Sequence, residues 1–143
     1  MKKLFLFFVA IAFSVASFAH SDENWQESDM LKNMQSEDKA ALLMVHFGTS
    51  YDDTRAATID ALNKKAQQEF PQLAFAEAYT SRMIINILGK RGVEKDTPLE
   101  ALLKLRAAGF THIVVQSSNV IDGAEMESLR KDIAQVEQFF KEV

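Results

Sequence analysis

Three short apolar runs, "ALLMVHFG" (41–48), "LAFAEAYT" (73–80) and "HIVVQSS" (112–118), recur along the chain with helical patterns between them. This alternation constrains the fold more than any other feature. Each run is too short for a buried helix and is bounded by turn-forming residues, as expected of a strand covered on both faces. Strands joined by helix-length crossovers pair in parallel, because a hairpin needs only a few linking residues. The order β-α-β-αα-β-α therefore predicts an α/β fold: a parallel sheet with three visible strands, flanked by helices on both faces.

The helical segments have their own signals. In 52–70, Ile59, Leu62, Ala66 and Phe70 recur at three- and four-residue spacing, and Pro71 follows, where a helix does not easily continue. Segment 81–92 opens on Ser81 as a cap and closes on glycine. Segment 96–109 has Asp96 or Thr97 as cap, Pro98 in its first turn and Gly109 at its exit. After Gly123, the residues Met126, Leu129, Ile133, Val136 and Phe140 lay one apolar stripe along a last helix. Three strands make a small sheet with exposed edges, and a further strand is expected after "QFFKEV". The reading is a half-built α/β domain, either a fragment or a subunit that pairs.

The first forty residues look different. Met1-Lys2-Lys3 is a short basic segment, residues 4–18 are uncharged and apolar, and "SFA" (17–19) places small residues at a cleavage site after Ala19. The apolar run is short for a membrane span of about 20 residues. Residues 1–19 therefore read as a cleaved signal peptide, with export to the periplasm and no stable membrane anchor after cleavage. Residues 20–40 read as a flexible leader, and 41–143 as the folded domain. Loss of Lys2 and Lys3 moves the formal charge from −4 to −6, and no basic stripe suits a phosphate backbone, so nucleic acid is not an expected partner. With no cysteine, thiolate metal sites and cysteine nucleophiles are excluded.

Open parallel sheets bind ligands beyond the carboxyl ends of their strands, where loops and helix N-termini converge. Three polar segments fall there: "HFGTSYDD" (46–53), "YTSRM" (79–83) and "QSSNVIDGAE" (116–125). Each has a plain structural reading too. Gly48-Thr49-Ser50 suits a turn and helix cap, and the lysine of a P-loop is missing. His46 suits a buried, hydrogen-bonded histidine as well as it suits a metal ligand. Asp52, Asp53 and Glu125 suit the first turns of helices. Arg82 suits a carboxylated ligand or a partner such as Glu77 or Glu127, and His112 a structural role.

At these residues a resemblance emerges. "ALLMVHFGTSYDDT", "AYTSRMII", "DTPLEALLKLRAAGF" and "VVQSSNVIDGAEME" resemble, in order, blocks of the anaerobic sirohydrochlorin cobaltochelatase family, over about residues 40–140. The resemblance implies one chelatase-like half of a two-half tetrapyrrole cleft. It also implies insertion of a divalent metal as substrate, cobalt in anaerobic cobalamin biosynthesis with iron or nickel as alternatives, without a nucleotide. Block by block it places Glu125 on a glutamate of the metal-binding cleft. It places Phe47, Gly48, Thr49 and Ser50 on the first substrate-binding loop and Ser81 on the second. His46 stands as a secondary metal candidate.

Departures accompany it. Asn119 replaces the histidine of the family's "QSLH", Met126 replaces the tyrosine after its glutamate, and the family's principal catalytic histidines lie in a second half. The resemblance therefore implies activity through a second half or a homo-oligomer. The alternatives are an exported protein that binds haem, another tetrapyrrole or a metal without turnover, and a truncated piece of a longer chelatase.

Overall fold

The computed structural model describes residues 29–143; the expected signal peptide, with His20 and Trp25 of the leader, lies outside the described residues. The strands are β1 (Ala40–His46), β2 (Ala74–Tyr79) and β3 (His112–Ser117). They form one parallel sheet in the order β2-β1-β3, with Val45 opposite both Ala78 and Ser117. The central strand is closed off from solvent along 41–46, which is why it reads as an unbroken apolar run.

The pleat sends alternate residues to opposite faces. Ala41, Leu43 and Val45 point to one face, where Ala101, Leu102 and Leu105 of α4 (Pro98–Ala107) and Leu129 and Val136 of α5 (Ala124–Val136) complete the main core. Burying each large aliphatic side chain there contributes about 1.5–3 kcal/mol before entropy is counted. Helix α4 starts as its sequence demands. Thr97 Oγ1 accepts from the Glu100 amide, the Glu100 carboxylate accepts from the Thr97 amide, and Pro98 fills the first turn.

Helical segment 52–69 covers the other face. It begins as α1 (Asp52–Arg55), passes through a π-helical turn (Ala56–Asp60) and continues as α2 (Ala61–Glu69). Helix α3 (Arg82–Gly89) packs beside it, with Ile84 and Leu88 against Tyr79. The structure corrects the stripe expected on 52–70: Leu62 and Phe70 are exposed, while Asn63 is buried and Ile59 packs near Tyr79. The inward positions answer to polar groups on the sheet, which a count of apolar residues does not detect. The last helix is also shorter than expected. It gives way at Val136 to a 3-10 turn (Glu137–Phe139), and Phe140 still reaches the core.

The residues after this turn run beside β3. Glu142 forms a parallel bridge with His112, and the Ile113 amide donates to the Glu142 carbonyl at 3.0 Å. Among the described residues, no helix is long and apolar enough to cross a membrane.

Candidate functional site

The parallel topology brings the carboxyl ends of all three strands to one edge of the sheet. After β1 the chain turns at Gly48, whose φ of +99° is strained for any residue with a side chain. A Cβ at that position would lie 2.5 Å from Tyr79 Cδ2, so the loop rests directly on the Tyr79 ring. Arg91 fixes the loop from outside: its guanidinium donates to the Ser50 carbonyl at 2.6 Å and pairs with Asp52, which also accepts from Arg55. Asp52 thus anchors the loop as well as opening α1.

Two adjoining hollows lie along this edge. One, of about 430 Å³, is lined by Ser118, Asn119, Val120, Ile121, Gly123, Ala124 and Glu125. The other, of about 380 Å³, includes His46, Phe47, Gly48, Thr49 and Leu62, and shares Ser118 and Asn119 with the first. Each falls within the ordinary range for a ligand pocket, about 300–1,000 Å³. Exposed apolar side chains rise around them: Val120 is 98% exposed, Ile121 81% and Phe47 46%. The Asn119 side-chain nitrogen is buried and has no hydrogen-bond partner.

Of the residues expected from sequence, Phe47, Gly48, Thr49 and Glu125 border these hollows. Ser50 faces Arg91 through its carbonyl, and Thr49 Oγ1 accepts from the Tyr51 amide at 3.2 Å. Ser81 is buried and caps α3, accepting from the Ile84 amide, while its own amide donates to the Phe47 carbonyl at 3.2 Å. Its hydroxyl serves the fold, and its backbone ties the second strand's exit to the first. Glu125 is half-buried in the first turn of α5, whose cap, Gly123, has no side chain to offer. Glu77 and Glu127 are engaged by Lys95 and Lys131, not by Arg82. His112 is buried, with Nδ1 2.9 Å from Thr111 Oγ1.

His46 has a different setting from the one a metal ligand needs. It is 1% exposed, with Nδ1 2.8 Å from Ser118 Oγ and Nε2 2.9 Å from Asn63 Oδ1. Both ring nitrogens are hydrogen-bonded, so the imidazole presents no free lone pair to a metal or a haem iron in this arrangement. Behind Asn63 the contacts continue. Asn63 Nδ2 donates to Glu77 Oε1 at 2.9 Å, and Lys95 pairs with the other Glu77 oxygen. The Lys95 ammonium also lies 5.1 Å from the centre of the Tyr79 ring, which meets His46 edge to face. Burial, then the charge of Glu77, pushes the Tyr79 phenol well above its ordinary pKa and keeps it neutral. Among the described residues, no cluster of three histidine, aspartate or glutamate side chains is set to hold a metal.

Sequence reasoning had placed neither Ser118 nor Asn63 among the site residues. Asn63 had one available signal: an asparagine in mid-helix usually has a specific partner to justify it.

A small parallel sheet with apolar loops, an unpaired amide and a carboxylate collected at its carboxyl edge defines the class as an open α/β fold, in which ligand sites lie beyond the strand ends. The family model for cobalt chelatase (CbiK) matches residues 40–143, and the chain belongs to that family. It is 40% identical over 103 residues to a sirohydrochlorin cobaltochelatase of Salmonella typhimurium, covering 71% of this chain and 39% of that one. It is 29% identical over 111 residues to the sirohydrochlorin cobaltochelatase CbiKC of Nitratidesulfovibrio vulgaris, covering 76% and 39%. The chain thus spans about two fifths of the length of these relatives.

Proposed function

We propose that this chain forms one wall of a sirohydrochlorin cobaltochelatase cleft, holding the tetrapyrrole over its strand ends while Co²⁺ is inserted. The observation that carries this reading is the mouth itself. Phe47, Val120 and Ile121 offer exposed apolar surface to a flat macrocycle, and Glu125 offers a carboxylate at the same edge. A macrocycle bearing acidic side chains also needs hydrogen-bond donors, and the unpaired Asn119 amide is one. The two hollows adjoin, sharing Ser118 and Asn119 in their lining, so a flat ligand could lie across both.

Insertion requires groups that hold the divalent metal and accept the two pyrrole protons it displaces. In this reading Glu125 meets the metal, the apolar rim positions the ring, and a second wall closes the cleft, supplied by another half or by another copy of the chain. Export to the periplasm, with cleavage after Ala19, belongs to the same reading; the N-terminal mass of the secreted protein tests it. Metals other than cobalt are outcomes of the insertion assay.

The test is a titration of the full chain with sirohydrochlorin followed by Co²⁺, monitored by absorption. A saturable spectral shift and insertion faster than in protein-free solution are expected, with the rate rising more steeply than protein concentration if two copies close the cleft. A shift without faster insertion supports a tetrapyrrole-binding module, a reading that Asn119 in place of the family's histidine also favours. No shift at any protein concentration overturns both.

A further inference from the structure

With a neutral imidazole, the row of contacts Ser118–His46–Asn63–Glu77–Lys95 has one consistent set of hydrogens. A carboxylate paired with an ammonium is an acceptor only, so the Asn63 atom 2.9 Å from Glu77 must be its NH₂. That turns Asn63 Oδ1 towards His46, and an oxygen there requires Nε2 to carry a hydrogen. In the neutral ring Nδ1 then bears the lone pair, and it points at Ser118 Oγ 2.8 Å away. Ser118 lines both hollows of the mouth. The ion pair between Glu77 of β2 and Lys95 therefore fixes, two side chains away, the tautomer of a histidine behind the proposed ligand site.

We propose that Ser118 and His46 form a proton-accepting dyad for the ligand bound at this mouth, oriented by Asn63 and Glu77. The proposal rests on the chelatase reading. As Co²⁺ approaches, one pyrrole N–H gives its proton to Ser118 Oγ while the serine's own proton passes to His46 Nδ1. The nitrogen lone pair so freed bonds the metal, and His46 becomes an imidazolium that still donates through Nε2 to Asn63. The second pyrrole proton goes to water, and His46 later returns its proton to solvent through Ser118. Around this row, Tyr79 of β2 meets the His46 ring, Glu77 lies behind Asn63 with Lys95 paired to it, and Arg55 and Asp60 of the helical segment act on the Tyr79 phenol. The Tyr79 phenol stays neutral and adds no charge of its own beside the ring. Ser118 is the group that meets substrate; Asn63 and Glu77 are positioning residues.

Long-range ¹H–¹⁵N spectra of the full chain read the tautomer directly. Hydrogen on Nε2 in the wild type and mixed tautomers in Glu77→Gln are expected; hydrogen on Nδ1 overturns the proposal whatever the ligand. Co²⁺ insertion into bound sirohydrochlorin gives the functional arm. Ser118→Ala should keep macrocycle affinity and lose at least about tenfold in insertion rate, equivalent to 1.4 kcal/mol of barrier. Because His46 is central, His46→Gln is scored only after its circular dichroism matches wild type. Added buffer bases of differing shape should accelerate Ser118→Ala and leave the wild type unaffected. A Ser118→Ala rate equal to wild type overturns the dyad and leaves the chelatase reading standing. Failure of the wild type to bind the macrocycle overturns that reading, and the dyad's role with it.

Discussion

His46 Nε2 lies 2.9 Å from Asn63 Oδ1, a contact between the last residue of the central strand and a buried side chain of the covering helix. Replacing Asn63 by alanine leaves the imidazole N–H and a Glu77 oxygen without their partner inside the fold. A loss of about 1–3 kcal/mol in unfolding free energy is expected, read as a lower urea midpoint. Asn63→Asp should cost more, since a second carboxylate would face Glu77.

Gly48→Ala combines two penalties, an unfavourable positive φ and a Cβ driven against the Tyr79 ring. The expected destabilisation is about 1–3 kcal/mol. Gly92 is the informative comparison, having a positive φ of 77° and open space around it. Gly92→Ala should therefore cost less, and parallel thermal melts of the two variants measure the difference contributed by the ring.

Asp38 carries an acid-sensitive tie. Its carboxylate accepts from Lys141 at 2.6 Å, from the Gln35 amide at 2.9 Å and from Thr111 at 3.1 Å, and these bonds, Lys141 first, lower its pKa from 3.8 to about 2. A carboxylate with a lowered folded-state pKa binds its proton more readily when unfolded, so its contribution is complete above the unfolded value. That contribution fades as pH falls from about 4 towards 2. Urea midpoints across this range should drop less for Asp38→Asn than for wild type, the variant having already lost the tie at neutral pH.

Glu125→Gln keeps the shape of the side chain and removes its charge. If the carboxylate meets the metal, Co²⁺ affinity should fall by roughly tenfold or more, on the scale of about 1.5–3 kcal/mol for a contact to a charged group. Calorimetry measures it. Glu127→Gln, two residues further along α5 and paired with Lys131, should leave Co²⁺ affinity within about twofold, as an exposed ion pair contributes little.

The sheet was legible because each strand is a bounded apolar run and each helix has its own start or stop residue. Thr97 with Glu100 and Pro98 is the clearest case, since a local rule decided a local structure. The segment 52–70 shows the limit. Its inward face follows Asn63, whose partners His46 and Glu77 come from two different strands. Periodicity registers where apolar residues recur and carries no signal for a polar residue buried by distant partners. For the same reason the mouth was legible as a place, through strand exits and turn residues, whereas the pairing of Ser118 with His46 required the sheet to be assembled. Both readings of His46 fitted the sequence, and only coordinates show its two nitrogens engaged.

The parallel bridge between His112 and Glu142 sets a direction as well as a contact. A backbone continuing from Glu142 along that outer lane would travel with β3 towards Ser118. The open border of so small a sheet thus carries a built-in heading, towards the edge where all three strands end.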